Sequence, residues 1–422
     1  MKILQTIIDL VRQKKCLKVV DHPRIVWQKN VKARLAKVRQ RLKNGEKVRV
    51  AFLVIYDSTF SAKSLYEKML KDDMFEPFLV IIPDIVRGKE HMLFNYQKTY
   101  KMLSDRYQNV KLAYHNETDT FLDISEMCDL CISATPYSEM SHWLYSVEYL
   151  LQRGVLSFSI SYGYMPDFYG RDIIMNLPSM NACWKVFVDT KENYEDYIKY
   201  TKINGINGVL SGYCKMDRLA NLKKIERNRK KIIIAPHHTV NHPNFSLSNF
   251  LIYAEFFNKL PKLYPNVDFV FRPHPLLYPT LCQDSVWGKE KTDAYFEEIQ
   301  KNDNLIWQNG GDYFETFVNS DGIIHDCSSF LVEYLFTGHP ACYMLRDKKE
   351  IESIFVDLGK NCLKHYYQAF NEQQILDFID NVVIGENDPL KKQREQYVND
   401  HLKINYPHVA DFILHNLKES LQ

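Results

Sequence analysis

The chain has 422 residues, a net charge of +2 and 45% hydrophobic residues. This length exceeds the size at which single cores usually divide, so we expect two domains of roughly 150–200 residues each. No run of about 18 apolar residues occurs, so we predict no transmembrane span, and the N-terminus lacks the pattern of a secretory signal. The nine cysteines include one CxxC spacing, Cys128 to Cys131, and no second such pair, so they indicate neither a zinc site nor a disulfide framework, and they fit a reducing cytoplasm.

The first 46 residues form a predicted basic helical arm. Residues 1–47 contain 14 Lys and Arg against three acidic residues, so this segment carries +11 and the remainder −9. Two apolar stripes recur at helical spacing: Ile3, Leu4, Ile7, Ile8 and Val11, then Val31, Leu35, Val38 and Leu42. Such a helix can lie on an anionic membrane, or it can pack on its own protein with solvated charges. Both interpretations stay open, and we expect no nucleic-acid partner.

Strand and helix patterns alternate in the next part of the chain. Strands are predicted at 48–55, 75–83, 130–133 and 155–160, and helices at 61–70 and 89–107. This alternation favours a parallel, Rossmann-like sheet. Since no GxGxxG follows the first strand, we predict no dinucleotide cofactor.

Two candidate site residues follow the predicted strand at 155–160. The carboxyl ends of strands in open α/β sheets face the ligand crevice, which makes Tyr162 and Asp167 candidates. A plain turn before a loop is the alternative. Farther along, the patterns predict a strand at 186–189, a helix at 192–199, a strand and turn at 209–217, and an inter-domain linker at 221–230.

A second α/β half starts with the strand at Lys231, which ends in His237 and His238. Paired histidines can bind a metal. However, adjacent side chains point in different directions and the sequence shows no third ligand nearby, so we predict no metal. One of the two is expected to act in hydrogen bonding or catalysis.

The next predicted elements are a helix at 247–263 and a strand at 267–271. This strand ends in Arg272-Pro273-His274-Pro275. Arg272 can grip a phosphate, and His274 can donate a proton or a hydrogen bond. A purely structural Arg–His turn is the alternative. Residues 283–304 are predicted to be mobile.

The stretch from Gly322 to Pro340 reads as a buried strand, a polar turn and a helix that Gly338 and Pro340 end. Ser328 and Ser329 stand at the predicted helix start. Serines there can cap the helix, and its free N–H groups and dipole attract phosphate. An ordinary capped helix is the alternative.

The order of these pieces resembles the CDP-glycerol glycerophosphotransferase family, which includes teichoic acid primases and polymerases. The resemblance covers about residues 155–345. It is carried by Ser-Gly-Tyr and Lys-Met-Asp within 211–217, the strand to Ala235-Pro236, the turn at 272–275 and the stretch 321–329. It implies a GT-B architecture, with two Rossmann-like domains facing a cleft.

The resemblance also implies a CDP-activated donor, a lipid-linked or polysaccharide acceptor, and a peripheral position on the inner face of the cell membrane. The predicted domains are an arm at 1–46, an acceptor domain at 47–225, a nucleotide-donor domain at 226–390 and C-terminal helices at 391–422. By position, it implies that His274 lies near the donor pyrophosphate and that Ser328 and Ser329 bind phosphate. Asp326 matches the family's Asp before the serines, and Glu333 is placed to meet donor hydroxyls.

One turn departs from the family. Its His-Gly-Thr-Pro turn, whose His is the proposed base, is replaced by a turn that begins with Tyr162 and ends with Pro166. A Tyr with a pKa near 10 is a poor base at neutral pH, so Tyr162, Asp167, His237 and His238 all remain candidates. A GT-B glycosyltransferase of capsule or lipopolysaccharide synthesis and an inactive assembly protein are the alternatives.

The expected reaction is a displacement at phosphorus. An acceptor hydroxyl attacks the β-phosphate of the donor, and CMP leaves. Arg272, His274 and the helix at Ser328 and Ser329 would stabilise the charge on the pyrophosphate. The sequence shows no carboxylate pair that requires a metal ion.

Overall fold

A computed structural model describes residues 23–133, 135–242 and 245–422. The predicted stripe from Ile3 to Val11 lies outside the described residues. The second stripe belongs to the helix Pro23–Lys43, and Val31 and Val38 are buried in the core of the first sheet. This part of the predicted arm therefore packs on its own protein, while most of its basic side chains face solvent.

The first half of the chain is built on a seven-stranded parallel sheet. Its order is β3-β2-β1-β6-β7-β8-β9. The strands are β1 Val48–Val54, β2 Phe75–Ile81, β3 Val110–Leu112, β6 Leu130–Ile132, β7 Leu156–Ile160, β8 Lys185–Val188 and β9 Gly208–Leu210, and a separate hairpin pairs β4 Tyr114–His115 with β5 Thr120–Phe121. Because helices cover both faces of the sheet, its strands are apolar almost throughout.

Six α-helices connect these strands. They are Lys63–Met69, Lys89–Ser104, Val147–Gln152, Phe168–Asp172, Pro178–Ala182 and Lys191–Tyr200. A 3-10 segment, Cys214–Asn221, follows β9, and residues 222–229 then run to the second sheet without helix or strand.

The second half holds a six-stranded parallel sheet. Its order is β12-β11-β10-β13-β14-β15. The strands are β10 Lys230–Ala235, β11 Val267–Phe271, β12 Leu305–Trp307, β13 Gly322–His325, β14 Ala341–Met344 and β15 Tyr367–Ala369. The helices are Phe250–Leu263, Leu277–Leu281, Lys289–Ile299, Phe314–Val318, Phe330–Glu333, Lys349–Ile354, Asp357–Leu363, Glu372–Asp377 and Lys391–Tyr397, the last two continued by π-helical turns.

The final helix, Val409–Leu421, returns to the first half. Its buried residues Ile413, Leu417 and Leu421 pack in the same core as β1 and the helix Pro23–Lys43. The guanidinium of Arg39 donates to the carbonyls of Ser420 and Leu421 at 3.1 and 3.3 Å. The chain therefore crosses between the two halves twice.

The structure confirms all the predicted strands and corrects one region. Residues 283–304, predicted to be mobile, contain the helix Lys289–Ile299, whose Phe296 and Ile299 are buried. Its apolar face is short and its surface highly charged, which hides the periodicity in the sequence. Within the described ranges, no helix combines the length and the apolar content that crossing a membrane requires.

Candidate functional site

A cleft of about 470 Å³ lies between the two halves. On the second half it is lined by the loops that leave the carboxyl ends of β10, β11 and β13. β10 lies between β11 and β13, so the strand order reverses there. Ligands of open α/β sheets bind at such a reversal, outside the carboxyl ends of the strands. The loop after β7 forms the opposite wall of the cleft.

Three histidines meet at this point. Two of the ring pairs lie close together: His237 and His238 at 4.4 Å between centroids, and His238 and His274 at 4.2 Å with the rings stacked. Ring nitrogens of all three lie within 4.8 Å of one another. The expectation that no third ligand stands near the histidine pair is therefore wrong, because β11 carries His274 to the end of β10.

The tautomers of His237 and His274 favour an anion over a metal ion. Nδ1 of His274 accepts the backbone N–H of Leu276 at 3.1 Å, and Nδ1 of His237 accepts that of Thr239 at 3.4 Å. A neutral imidazole that accepts at Nδ1 carries its proton on Nε2, so it offers an N–H donor and no lone pair for a metal.

Burial keeps these rings neutral. It lowers the pKa of His237 and His274 well below the usual value, and it lowers the pKa of His238 to about 4. The charged form of any one ring would also repel its neighbours. At neutral pH the cluster therefore presents uncharged N–H donors to the cleft.

Arg272 is held rigidly beside the histidines. Its guanidinium donates to the side-chain oxygen of Gln308 at 3.1 Å and to the carbonyl of Gly311 at 2.6 Å. It also lies 5.4 Å from the ring centre of Tyr313. Burial lowers the pKa of Arg272, but a guanidinium stays charged in proteins. The result is a fixed positive charge in the wall of the cleft.

Lys215 and Tyr313 are site residues that the sequence analysis missed. The ammonium of Lys215 donates to the Tyr313 hydroxyl at 2.7 Å, and that hydroxyl donates in turn to the carboxylate of Glu333. Burial lowers the pKa of Lys215 and raises that of Glu333, while each charge favours the other. Lys215 lies within the stretch 211–217, which was a possible signal, but nothing in the sequence pointed to Tyr313.

The prediction that serines cap the helix after β13 is wrong. Ser329 occupies the N-cap position with helical backbone angles and without a side-chain cap bond, and the α-helix Phe330–Glu333 has only four residues. The Ser328 hydroxyl instead donates to Asp167 across the cleft, at 2.5 Å. Both serines line the cleft, as does Glu333.

Asp326 lies behind the wall of the cleft. Its carboxylate is fully buried and accepts the backbone N–H groups of His237 and Asn249, each at 2.6 Å. Burial raises the pKa of Asp326 to about 7. Asp326 therefore holds the loop of His237 and His238 in place, and its carboxylate does not line the cleft.

Tyr162 and Asp167 lie in the loop after β7 and face the histidines, Arg272 and the serine turn across the cleft. The carbonyl of Tyr162 accepts the hydroxyl of Tyr213 at 2.9 Å, and burial raises the Tyr162 pKa above its ordinary value. Gly163 in this loop lies beside the serine turn of the second half, since a Cβ there would make an ordinary contact of 3.5 Å with Ser329 Cβ. All the candidate site residues except Asp326 therefore line one cleft.

Neither protein-family models nor curated proteins gave a match to this sequence. Solved structures did. The wall teichoic acid polymerase TagF matches over 100% of this chain and 97% of its own, with a TM-score of 0.55 and 12% identity. A UDP-GlcNAc 2-epimerase from Neisseria meningitidis, bound to UDP-GlcNAc, matches over 88% and 99%, with a TM-score of 0.55 and 11% identity. S. aureus MnaA, solved with UDP, matches over 89% and 97%, with a TM-score of 0.56 and 12% identity.

The fold is GT-B-like. Both sheets and the cleft between them agree with the predicted architecture of two Rossmann-like halves. At these identities the similarity establishes the fold of the chain.

Proposed function

We propose that this protein is a transferase that moves a polyol phosphate, such as glycerol phosphate, from a CDP-activated donor to an acceptor hydroxyl and releases CMP. The acceptor would be a lipid-linked intermediate or a surface polysaccharide. The observation that carries this proposal is the convergence of Arg272, His274 and Ser328 on one cleft at the strand-order reversal.

The chemistry of these groups suits a pyrophosphate. Arg272 supplies a fixed charge, the neutral histidines supply N–H donors, and the serine turn supplies hydroxyls. Hydrogen-bond donors that are already fixed in place need no reorganisation when they stabilise the charge that develops on a phosphoryl group. The sequence resemblance to the CDP-glycerol glycerophosphotransferases and the structural similarity to TagF support the same class.

A glycosyltransferase that uses a nucleotide sugar is the second candidate. Tyr162 stands where the family has its proposed basic histidine, and two of the similar structures hold UDP or UDP-GlcNAc. A nucleotide sugar presents the same pyrophosphate to the same donors. The two candidates differ in the bond that breaks, at phosphorus or at an anomeric carbon.

A peripheral position on the inner face of the cell membrane belongs to the proposal. The helix Pro23–Lys43 exposes Lys32, Lys37 and Lys43, which would attract anionic headgroups. Each lysine near the membrane surface would contribute about 1 kcal/mol to binding. Such attachment would keep the cleft close to a lipid-linked acceptor.

Donor identity can be tested with the purified full-length chain. We expect CDP, CDP-glycerol or CDP-ribitol to raise the melting temperature, because a ligand that binds only the native state stabilises it by mass action. CMP release should then depend on a CDP-polyol and a lipid-linked saccharide. Arg272→Gln should lose both effects, while His415→Ala, an exposed site on the last helix, should keep them. Stabilisation and turnover with UDP-sugars alone would replace the proposal with glycosyl transfer. No turnover with any donor would favour an inactive assembly protein.

A further inference from the structure

We propose that Asp167 is the general base of this reaction, and that the Ser328 hydroxyl occupies it until a donor phosphate draws Ser328 away. This inference rests on the proposed function. It names a residue for the role that the family's missing histidine leaves open, and it couples that role to donor binding.

The two oxygens of the Asp167 carboxylate have different tasks. Oδ1 accepts the backbone N–H of Gly170 at 2.8 Å and caps the helix Phe168–Asp172. Oδ2 accepts the hydroxyl of Ser328 at 2.5 Å. One oxygen therefore fixes the orientation of the group, and the other already binds a hydroxyl in the cleft. An acceptor hydroxyl that replaced Ser328 would be held in the same way.

The second half of the chain holds the Asp167 loop in place. Asp167 forms an isolated antiparallel bridge with Phe355, and the carbonyl of Pro166 accepts the N–H of Val356 at 3.0 Å. Gly359 leaves space for this contact, since a Cβ there would lie 2.3 Å from the Pro166 oxygen. Although Asp167 follows β7 of the first sheet, its position is therefore set relative to the phosphate-binding loops.

Donor binding should make Asp167 a stronger base. Burial raises the pKa of this carboxylate, while the hydrogen bonds from Ser328 and from the N–H groups of Tyr169 and Gly170 lower it. The phenols of Tyr137 and Tyr343 lie close enough to feel its charge. When Ser328 turns to a phosphate oxygen, Asp167 loses a hydrogen bond that lowers its pKa, and the negative charge of the phosphate arrives nearby. Both changes raise the pKa.

The other candidate bases are less suited to the role. Burial raises the pKa of Tyr162 further above 10, so its phenolate is scarce at neutral pH. His237 accepts at Nδ1 and already carries its proton on Nε2. His238 lies against His274 at 4.2 Å and is the competitor that the experiment must separate.

The acceptor hydroxyl gives its proton to Oδ2 of Asp167, and its oxygen forms a bond to the β-phosphorus. The bond between that phosphorus and the bridging oxygen breaks, and the electron pair leaves with CMP. Asp167 then releases the proton to solvent. The step needs no oxidant or reductant.

Asp167→Asn tests the assignment cleanly, because Asn caps a helix as well as Asp does. We expect kcat to fall by about 10²- to 10⁴-fold, the usual contribution of a general base, while CDP still raises the melting temperature. Tyr162→Phe should keep kcat within about tenfold of the wild type, whereas His238→Gln, which alters one donor of the cleft, should weaken CDP binding and should lose less kcat than Asp167→Asn. An Asp167→Asn enzyme with near-normal kcat would overturn the base assignment, and a large loss in His238→Gln alone would move the role to that residue.

The proposed coupling between donor binding and the release of Ser328 from Asp167 can be measured without an acceptor substrate. Calorimetric titration with CDP over a series of acidic pH values, in buffers of different ionisation enthalpy, should show proton uptake in the wild type. The uptake should vanish in Asp167→Asn, and it should shrink in Ser328→Ala, whose Asp167 has already lost the lowering bond. Equal uptake in all three proteins would overturn the coupling. CDP binding with proton uptake but without turnover on any donor would instead count against the proposed function alone.

Discussion

The carboxylate of Asp217 accepts the backbone N–H groups of Val409 and Ala410, at 3.1 and 2.8 Å. It thereby caps the start of the last helix, which packs in the core of the first sheet. Unsatisfied N–H groups at a helix start are stabilised by such an acceptor, and a negative charge there also suits the helix dipole. Asp217 thus ties the middle of the chain to its last helix.

Loss of this cap should destabilise the protein locally. For Asp217→Ala we expect a loss of about 1–2 kcal/mol, the usual effect of removing an N-cap acceptor. Hydrogen exchange should be faster across 409–421 than in the wild type. Asp303→Ala, at an exposed turn, is the control and should leave the exchange unchanged. Equal protection in the Asp217 variant would show that packing alone holds the helix.

Asp217 should also contribute to the pH dependence of stability. Burial raises its pKa to about 6, above the value near 4 of an unfolded chain. Between these values the native state keeps a proton that the unfolded state has lost, so this residue stabilises the protein less as pH rises from 4 to 6. We expect the difference in melting temperature between pH 5 and pH 7 to change in Asp217→Asn, in the direction of higher relative stability at pH 7. Parallel curves for both proteins would contradict the raised pKa.

His274→Ala should abolish turnover and leave the fold intact, because it removes an N–H donor from the cleft. His274→Gln keeps an N–H donor on a side chain of similar reach and should recover part of the activity. The measurement is CMP release, with circular dichroism as the check on folding. If His274→Ala turns over normally, the histidine cluster is structural.

Arg272→Lys should weaken donor binding although the charge is kept. A Lys cannot reproduce the fixed fork that Gln308 and Gly311 hold in the native protein. Hydrogen bonds to a charged group contribute about 1.5–3 kcal/mol, so we expect CDP to bind roughly 10- to 100-fold more weakly. Calorimetry with CDP measures this directly. Unchanged affinity would place the pyrophosphate elsewhere in the cleft.

The basic helix Pro23–Lys43 should bind anionic vesicles through its exposed face. Deleting it would expose the core that Val31 and Val38 fill, so charge reversal is the better test. The triple variant Lys32→Glu, Lys37→Glu and Lys43→Glu should lose salt-sensitive binding to phosphatidylglycerol vesicles.

The matched control reverses three exposed lysines of the second half, Lys259, Lys262 and Lys301. It should bind vesicles as the wild type does. If both variants bind equally well, the charges on the helix Pro23–Lys43 are simply solvated.

Much of the architecture could be predicted from the sequence, because buried parallel strands are apolar along their whole length. Ile232, Ile233 and Ile234 mark β10 without ambiguity, and all three are fully buried. The short strands β12 and β14, of three and four residues, were not predicted. Lys289–Ile299 was missed because its charged face dominates the composition.

The candidate site was predictable only in part. Residues that follow a strand, such as Arg272 and Ser328, could be placed by the rule that strand ends face the crevice. Tyr313 follows a loop after β12 and joins the site only through tertiary contacts with Lys215 and Glu333. The capping role expected for Ser329 failed because its backbone already has helical angles, whereas an N-cap residue is usually extended.

The return of Val409–Leu421 to the first core has a consequence for folding during synthesis. Leu65, Tyr66 and Met69 share a core with residues made some 350 positions later. As the chain emerges from the ribosome, the second half can complete its sheet while the first half still exposes this apolar surface. A chaperone that shields hydrophobic segments would then act on the earlier half, and a fragment ending near residue 225 would aggregate.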